Sequence, residues 1–514
     1  MSGKPYYAPP PGPPPNDGSQ ASEDQEEDVE NETEASHTRL ISDIKDYLLT
    51  HGHLLKVVRF ETPSRVPAVG VNVSCRPTPF PRRLFQHAMD LQPAMNELYI
   101  RAASDDEWLH SVLRPQIEGE PDGLVASLWD VWVKCREVGV VQEEVTLRQV
   151  EMNTFSVAGA CHAEGVAGMH RWLMQREAAE MDDIKPLPHL GDLPADTNTS
   201  AIVSGLSTAH KLYQSQHPND HSKCILMVVQ PLNFNIADER PIEYGLFACY
   251  RCEWRDVLNR CHVGPSRELL YQPPASGKRK ASKMFEVSVV YYRAGYDMEE
   301  YNSDGVKTRS MLELSRAIKC PGVKMHMVGM KSVQRALAEP GVVERFLPEA
   351  RQAGEVQRTF LPMLPLDSSR QGLEARRLAL DPETAVDYVL KPNLEGGGHN
   401  VFRADIPAYL SGIPEEEWER YILMRLITPP TNAEPGILLT SEEVYEGPVV
   451  SELGVLGFAM WRSMTPGNGR KDGGGEVEIL ENEAVGWTFK TKPRSVDEMS
   501  VVKGYGCFDC PLLT

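Results

Sequence analysis

Three consecutive glycines beside a lysine and a glutamate form the segment of this sequence best suited to bind a phosphate. The triplet Gly396–Gly398 follows Lys391 and Glu395, and the apolar run Tyr388–Leu390 before them predicts a strand. Backbone N–H groups of glycine can approach phosphate oxygens closely because no Cβ stands in the way. Lys391 adds positive charge, Glu395 is placed to bind a Mg²⁺ that bridges phosphate oxygens, and Asn400 offers a neutral polar contact. The segment therefore predicts a nucleotide phosphate site.

A second triplet, Gly473–Gly475, serves as an internal control. It follows another turn-forming stretch, Pro466–Gly469, and has neither a strand-borne lysine nor an adjoining glutamate. Those neighbours favour a flexible hairpin connection. The sequence also lacks G-x-x-x-x-G-K-[ST] and a G-x-G-x-x-G after a strand, which disfavours the P-loop and Rossmann modes of nucleotide binding.

Two oxygen-bearing side chains two residues apart, Glu151 and Asn153, predict a cation site. They belong to the segment Gln149–Thr154, whose alternation predicts a strand with both side chains on one face. Carboxylate and amide oxygens suit a hard cation, so these residues and Glu395 form a candidate Mg²⁺ set. Taken alone, a strand with Glu and Asn on its outer face is more often ordinary surface.

The charge balance and the apolar pattern exclude several classes of protein. A formal net charge of −20 argues against a nucleic-acid binder, although eight of the acidic residues lie between Glu23 and Glu34. No apolar run approaches the roughly 18 residues of a membrane-spanning helix. The first 36 residues have neither the apolar core of a secretion signal nor the character of a transit peptide, so we expect a cytoplasmic protein without a membrane partner. The one dense basic run, Lys278–Lys283, is more typical of a solvated loop than of a localisation signal.

Ten cysteines are scattered along the chain, including two C-x-x-C pairs, Cys249/Cys252 and Cys507/Cys510. Four thiolates could bind zinc, but the pairs stand far apart and no histidine lies at ligand spacing. We therefore expect reduced, mostly buried thiols.

The elements that must position these residues are indicated by apolar periodicity. Residues 1–36, Pro-rich and then acidic, predict a disordered tail. Helical spacing begins near Leu40, and a second helix is expected after Pro81, bent or broken at Pro93. Apolar runs predict buried strands at Cys224–Pro231 and Val287–Tyr292. With helical patterns between and after them, they indicate a mainly parallel α/β unit over about 222–325.

The C-terminal half predicts an antiparallel sheet that holds a ligand. Its candidate strands, separated by turn signals, are Ala385–Lys391, Tyr421–Ile427, Val449–Leu456 and Trp487–Lys492. The fold class expected from the whole pattern is a mixed α/β (α+β) one.

Blocks of residues spread from about residue 40 to the C-terminus resemble those of one family, eukaryotic-type glutathione synthetase, which has the ATP-grasp fold. The blocks occur in the family's order, which is more specific than any single block. They are Pro79–Arg82, Gln149–Thr154, Asn235–Arg240, Val289–Tyr296, Lys319–Pro321, Leu390–Pro392 with Glu395–Gly398, Tyr421–Met424, Ser451–Gly454 and Thr491–Lys492.

The resemblance implies an ATP-dependent carboxylate–amine ligase that joins γ-glutamylcysteine to glycine and releases glutathione, ADP and phosphate. It implies an acyl-phosphate intermediate, Mg²⁺ as cofactor, small-molecule substrates and a homodimer. It also implies a domain order: 37–221 as the N-terminal part of the ATP-grasp body, 222–325 as an inserted substrate-binding domain, and 326–514 as the ATP-grasp domain with the glycine-rich loop and a C-terminal lid.

The resemblance also assigns roles to individual residues. Those expected in catalysis are Glu151, Lys331, Lys391 and Glu395, and the implied Mg²⁺ ligands are Glu151, Asn153 and Glu395. The implied ATP-binding set is Glu151, Lys331, Lys391, Glu395, Gly396, Gly397, Gly398, Asn400, Phe402, Met424, Arg425, Leu426, Ile427, Glu452, Lys492 and Glu498. The implied substrate-binding set is Phe155, Ser156, Val157, Ala158, Asn233, Phe234, Asn235, Glu239, Arg293, Ala294, Gly295, Tyr296, Lys490, Val501 and Val502.

This sequence departs from the family pattern at several positions near the substrate. A strand and turn that carry a substrate-binding arginine are absent between Gln142 and Leu147, and Lys490 stands where the family has another arginine. Lysine keeps the charge but not the bidentate grip on a carboxylate. Phe402 replaces a tyrosine, and Arg425-Leu426 replaces a Glu-Lys pair near adenine. Two alternatives therefore stay open, a non-catalytic nucleotide-binding homologue and a carboxylate–amine ligase with a different acceptor.

Overall fold

The computed structural model describes the chain from residue 37 onward, with gaps. The described residues are 37–62, 65–138, 143–148, 152–180, 190–274, 283–393, 400–427, 429, 435–441, 443–463, 477–501 and 504–514. Contacts divide the chain into two units, Met1–Tyr47 and Leu48–Thr514. The described residues of the first unit, 37–47, lie in helix α1, which confirms the helical spacing seen near Leu40. The domain boundaries at 221/222 and 325/326 stay predictions.

Helices and strands alternate through the second unit, which confirms the mixed α/β class. The helices are α1 (37–50), α2 (Arg82–Ser104), α3 (Asp106–Gly119), α4 (Leu124–Val138), α5 (Ala160–Glu180), α6 (Asn198–Gln216), α7 (Ile236–Gly245), α8 (Val257–Arg260), α9 (Ser303–Leu314), α10 (Val323–Val328), α11 (Lys331–Ala338), α12 (Val343–Phe346), α13 (Ala350–Gln357), α14 (Arg370–Leu380), α15 (Pro382–Ala385) and α16 (Asp405–Ser411). The strands are β1 (Leu54–Lys56), β2 (Ala68–Gly70), β3 (Val73–Ser74), β4 (Thr78–Phe80), β5 (Glu143–Arg148), β6 (Lys223–Val229), β7 (Cys249–Glu253), β8 (Cys261–Val263), β9 (Leu269–Tyr271), β10 (Phe285–Arg293), β11 (Ile318–Cys320), β12 (Met363–Pro365), β13 (Tyr388–Pro392), β14 (Val401–Phe402), β15 (Tyr421–Arg425), β16 (Gly436–Leu439), β17 (Val444–Gly447), β18 (Val449–Ser463), β19 (Val477–Pro493), β20 (Cys507–Asp509) and β21 (Pro511–Leu513).

One large sheet joins parallel and antiparallel strands in the order β17-β16-β3-β20-β19-β18-β5-β11-β10-β6-β7, and the β8–β9 hairpin pairs with β10. Strands β5, β11, β10, β6 and β7 run parallel to one another, as the α/β pattern predicts. Strand β6 is buried on both faces, because Leu226 and Val228 pack in one apolar core and Ile225 and Met227 in another. That is why this strand is a continuous apolar run.

A smaller antiparallel sheet, in the order β12-β15-β13-β14, carries the approach to the glycine-rich loop. Leu390 of β13 and Leu423 of β15 are fully buried in its own core, which also contains Trp418. The antiparallel sheet expected in the C-terminal half is confirmed, but it is divided between this sheet and the large one.

Several sequence expectations are corrected by the structure. Helix α2 runs through Pro93 without ending, and Asn482 donates a hydrogen bond to the Pro93 carbonyl. Packing of α2 on strands β18 and β19 outweighs the single helical bond that proline removes. Ala385 ends helix α15, so β13 begins only at Tyr388. Asp381, just before α15, caps the N-terminus of that helix by accepting the Glu383 N–H.

The strand expected at Gln149–Thr154 is corrected over residues 152–154, while residues 149–151 lie outside the described residues. Strand β5 covers Glu143–Arg148 and pairs with both β18 and β11, whereas Met152 lies in a turn. Two contacts hold Thr154 and Phe155 against the segment that contains α10. The Thr154 hydroxyl donates to the Met325 carbonyl, and Phe155 stacks on His326 with a ring-centroid distance of 3.9 Å. Strands β18 and β19 are longer than expected and pair from Val449–Pro493 to Ser463–Val477, whereas residues 464–476, with the second glycine triplet, lie outside the described residues.

The ten cysteines are free, and nine of them are buried, as the sequence predicts. Among the described helices none is long and apolar enough to cross a membrane.

Candidate active site

The predicted substrate-binding residues meet where parallel strands β6 and β10 end. Arg293 closes β10 and is paired with Val229, the last residue of β6. Its side chain is only 4% exposed. It donates to the Val157 carbonyl and to Asp238 (3.0 Å), and lies 3.4 Å from Glu239. Ligands commonly bind at the carboxyl ends of parallel strands, and the predicted residues converge there.

Asp238, in the first turn of α7, organises this end of the sheet. Its two carboxylate oxygens accept the backbone N–H groups of Gly159 (2.8 Å) and Cys161 (3.0 Å) in addition to the Arg293 guanidinium. Burial alone would raise the pKa of Asp238, but Arg293, His162 and the two N–H groups lower it. Asp238 is therefore an ionised carboxylate that fixes the loop after Phe155. Because Gly159 has φ +90°, the loop turns there in a conformation that favours glycine.

The loop from Phe155 to Ala158 offers backbone groups beside this ion pair. Phe155 is buried against His326, whereas Ser156 and Val157 are half-buried and Ala158 is exposed. Ser156 adopts φ +49°, in the left-handed region. Backbone strain of this kind is often found at functional sites, where neighbouring structure enforces it.

Two further substrate candidates are held by side-chain contacts. The Asn235 side-chain oxygen lies 3.0 Å from His162 Nε2, and its backbone N–H donates to Asn233 at 2.9 Å. Phe234 between them is 37% exposed. Glu239 accepts from Arg251 on β7 at 2.7 Å, so both carboxylates that follow Asn235 face an arginine.

The turn Arg293–Tyr296 is fixed from below by Glu300. One Glu300 oxygen accepts the N–H groups of Gly295, Tyr296 and Asp297, each at 3.0–3.1 Å. Gly295 has φ +89°, and a Cβ there would lie 2.6 Å from the Trp254 ring, so glycine is required. Ala294 is fully buried, while Tyr296 stays 36% exposed at the rim.

The predicted nucleotide residues gather around the small sheet. Val389 of β13, two residues before Lys391, pairs with Met424 on one side and Phe402 on the other. Lys331 begins α11, which packs against β12 and β15, and is buried. Arg425 and Ile427 are exposed, and the Leu426 N–H donates to the Asp387 carbonyl. The small sheet therefore carries half-buried and exposed candidate side chains, with buried Lys331 and half-buried Lys391 nearby.

A second group of nucleotide candidates lies on the β18–β19 strand pair. Glu452 is paired with Lys490 across the strands, with a carboxylate-to-ammonium distance of 3.7 Å. Lys492 donates to the Val496 carbonyl. Burial lowers the pKa of Lys492, opposed by Asp497, Glu452 and Glu498. A partly desolvated ammonium is well suited to bind an anionic phosphate.

Two contacts connect these groups. The Asn400 amide donates to Glu498 at 3.3 Å, and Arg403 donates to Asp497 at 3.0 Å. They link the strand after the glycine-rich loop to the segment after β19, where Val501 is buried. The small sheet and the β18–β19 pair therefore form one continuous candidate site.

The metal set can be examined only in part. Asn153 is described and half-buried, but Glu151, Glu395, Gly396, Gly397, Gly398 and Val502 lie outside the described residues. Within the described ranges no group of three His, Cys, Asp or Glu side chains could hold a metal ion. The donor chemistry of an amide oxygen with two carboxylates fits Mg²⁺.

Sequence reasoning missed Asp238, His162 and Glu300, which hold the substrate candidates in place. Asp238 stands next to Glu239 inside the block Asn235–Arg240, which was its only signal. His162 and Glu300 act through contacts that depend on the folded chain.

The family model for the eukaryotic glutathione synthase ATP-binding domain matches residues 34–513. The glutathione synthetase large chain of Schizosaccharomyces pombe is 32% identical, covering 93% of this chain and 98% of the relative. The human glutathione synthetase is 26% identical, covering 91% of this chain and 94% of its own. A glutathione synthetase-like effector from Globodera pallida, solved in its apo form, has a similar fold, with a TM-score of 0.64, 19% identity and coverage of 93% of this chain and 96% of the effector. The chain belongs to the eukaryotic glutathione synthase family.

Proposed function

We propose that this chain is an ATP-dependent glutathione synthetase that joins γ-glutamylcysteine to glycine. The observation that carries the proposal is the match to glutathione synthetases along nearly the whole length of the chain. In the reaction, the cysteinyl carboxylate attacks the γ-phosphorus of ATP and ADP leaves. The glycine amine then attacks the acyl phosphate, phosphate leaves, and the amine loses a proton.

The residues near the small sheet and the β18–β19 pair serve the phosphoryl transfer. Lys331, Lys391 and Lys492 neutralise phosphate charge, while Met424 to Ile427 and Glu452 hold adenine and ribose. Because phosphoryl transfer depends mainly on positioning and charge neutralisation, three lysines on separate elements would fix the chain of phosphates without any covalent role. The glycine-rich loop would add backbone N–H donors.

A magnesium ion bound by Glu151, Asn153 and Glu395 would neutralise negative charge on the phosphates. The protein side chains provide the rest of the site. Lys490 provides the cation for a substrate carboxylate.

The dipeptide would lie at the carboxyl ends of β6 and β10. Arg293 has its donors directed at Val157, Asp238 and Glu239, so it shapes the pocket and leaves direct contacts to the backbone of Ser156–Ala158 and to Asn233 and Tyr296. The lid residues Val501 and Val502, with Glu498, would cover the substrate and exclude water from the acyl phosphate. The homodimer and the cytoplasmic location stay predictions.

Tripeptide formation by the purified chain tests the proposal. We expect phosphate and glutathione to appear in equal amounts only when ATP, γ-glutamylcysteine, glycine and Mg²⁺ are all present, and each omission serves as a control. Mass spectrometry of the product identifies the acceptor. If ATP binds but neither phosphate nor tripeptide forms, the chain is not a glutathione synthetase.

A further inference from the structure

A chain of four hydrogen-bonded side chains connects strands β18, β19, β20 and β4. The Ser451 and Thr491 hydroxyl oxygens are 2.8 Å apart, and the Thr491 hydroxyl donates to Asp509 at 2.6 Å. The Thr78 hydroxyl donates to the same Asp509 oxygen at 2.5 Å. The other Asp509 oxygen accepts the Cys510 N–H at 2.7 Å. We call this set, Ser451, Thr491, Asp509 and Thr78, the Asp509 network.

The Asp509 network lies beneath the face that carries the candidate binding lysines. Thr491 stands between Lys490 and Lys492, and successive side chains of a strand point to opposite faces. Ser451, which pairs with Thr491, likewise precedes Glu452 on β18. The lysines and Glu452 therefore face the site, whereas the hydroxyls face the interior.

The interior position shields the Asp509 network from water. Thr491 and Asp509 are fully buried, and Thr78 is nearly so. A buried carboxylate deprived of its hydroxyl donors would be left with an uncompensated desolvation cost, so the donors and the carboxylate hold each other in one geometry. The hydroxyl donors come from β19 and β4, so the Asp509 carboxylate on β20 connects strands β19 and β4.

We propose that Asp509 is a positioning residue: through Thr491 it fixes the height and direction of strand β19 and thereby places Lys490 and Lys492 for the nucleotide and the substrate carboxylate. The inference rests on the proposed function, because it takes these two lysines as ligand contacts. Asp509 itself is separated from the site by the thickness of the strand and touches no reacting atom.

Substitution of Thr491 by Val tests the network with minimal change of shape. Thr491→Val removes the hydroxyl that joins β19 to Asp509, and we expect KM for ATP and for γ-glutamylcysteine to rise about tenfold. The turnover number per folded molecule should change much less, because ligand placement by the lysines contributes to substrate binding. Asp509→Ala should act at least as strongly.

The conservative variant distinguishes positioning from simple support of the fold. Asp509→Asn can keep one oxygen acceptor for both hydroxyls, with its amide in place of the oxygen that accepts the Cys510 N–H, so its KM values should lie closer to wild type than those of Asp509→Ala. A purely structural role predicts a lower fraction of folded protein with unchanged KM in every variant. That outcome would overturn the proposal.

A matched control and a binding measurement complete the test. Cys507 is buried on β20 and pairs with Thr491 across the strands, so Cys507→Ala removes buried atoms beside the Asp509 network but none of its hydrogen-bonding groups. It should lower stability and leave KM unchanged. Calorimetry with the non-hydrolysable analogue AMP-PNP and Mg²⁺ should show Kd raised about tenfold in Thr491→Val. If wild-type protein makes no tripeptide, the proposed function fails, whereas an unchanged Kd in both Thr491→Val and Asp509→Ala removes the positioning role alone.

Discussion

Two buried carboxylates have pKa values shifted in opposite directions: Asp238, in the candidate substrate region at the ends of β6 and β10, and Asp509, beneath the candidate nucleotide region on β18 and β19. Both are almost completely shielded from water. The Arg293 guanidinium 3.0 Å away helps to lower the pKa of Asp238 against the effect of burial, whereas burial raises the pKa of Asp509 to about 7. Asp509 accepts hydroxyl and N–H groups, and no Lys or Arg side chain in the described part of the chain forms an ion pair with it. His170 Nδ1 lies 3.9 Å away, and burial lowers the pKa of His170 to about 4, so it is neutral.

The difference shows how each region keeps its geometry. In the substrate region, full charges on Arg293, Asp238, Glu239 and Arg251 offset one another, so removing one member leaves its partners unpaired. In the nucleotide region, neutral hydroxyls support a carboxylate whose ionisation is costly. The substrate region should therefore be sensitive to loss of a cation, and the nucleotide region to pH.

The largest effect is expected from removing the cation of the substrate region. Arg293→Met leaves Asp238 and Glu239 without their shared partner, and we expect the free energy of unfolding to fall by about 3–5 kcal/mol. Urea unfolding monitored by tryptophan fluorescence measures it. Arg255→Met is the control, because the Arg255–Glu253 pair is exposed and should be worth less than about 1 kcal/mol. Equal losses in the two variants would contradict the role of burial.

The next effect concerns catalysis by the nucleotide region. Glu395→Gln removes the negative charge of a proposed magnesium ligand but keeps the shape of the side chain. We expect turnover to fall at least about a hundredfold, because charge neutralisation supplies much of the catalysis in phosphoryl transfer. Continuous phosphate release measures it, and the urea midpoint should stay at its wild-type value. Activity close to wild type would remove Glu395 from the metal set.

The sequence alone could predict the helices and strands that show a local apolar pattern. The apolar runs that become β6 and β10, and the reach of helix α1, follow from periodicity within a few residues. The collinear blocks could indicate Arg293, Glu239 and Lys492, because these residues stand inside segments that resemble the family. The convergence of Val157, Asp238 and Arg293 joins positions far apart in the chain, and no local pattern encodes it.

The errors of prediction have physical reasons of the same kind. Proline at position 93 predicts a bend or a break, and α2 does not break there because it packs on two long strands. Of the strand expected at Gln149–Thr154, the described residues 152–154 lie in no strand, because the Thr154 hydroxyl is bound to the Met325 carbonyl, about 170 residues away along the chain. Asp509 attracted no notice, since a single aspartate near a C-terminus has no motif; its three donors appear only in the folded sheet.

A third prediction uses pH to sharpen the contrast between the two carboxylates. Asp509 has a folded pKa of about 7 against the ordinary aspartate pKa of 3.8, so between these values the folded state holds a proton that the unfolded state has released. Stability must then fall as pH rises through this window, by up to about 1.4 kcal/mol per pH unit, and level off above pH 7. Buried His170, with its lowered pKa of about 4, works in the opposite direction below pH 6.5.

Above pH 6.5 the decline caused by Asp509 is joined by one caused by Asp196, whose pKa burial raises to about 8. We expect wild-type stability to decline from pH 6.5 to 8. Asp509→Asn should remove the part of the decline that ends near pH 7, and Asp196→Asn the part that continues toward pH 8. Urea midpoints at half-unit pH steps measure both. Asp238→Asn has no such effect, because a lowered pKa places its titration in acid; a changed slope above pH 6.5 in that variant would contradict the comparison.

The smallest effect is expected at the surface link between the two nucleotide elements. Arg403 and Asp497 form an ion pair at 3.0 Å with 51% and 36% of their side chains exposed. Water screens such a pair, so Arg403→Gln should cost less than about 1 kcal/mol of stability and should be less costly still in high salt. The pair can nevertheless affect binding, because it joins the strand after the glycine-rich loop to the segment that carries Glu498. Titration with AMP-PNP at low and high salt separates these contributions. If Arg403→Gln binds AMP-PNP more weakly than wild type at low salt but equally well at high salt, the ion pair contributes to binding. If the two proteins bind equally well at both salt concentrations, the Asn400–Glu498 hydrogen bond suffices to hold the two elements together.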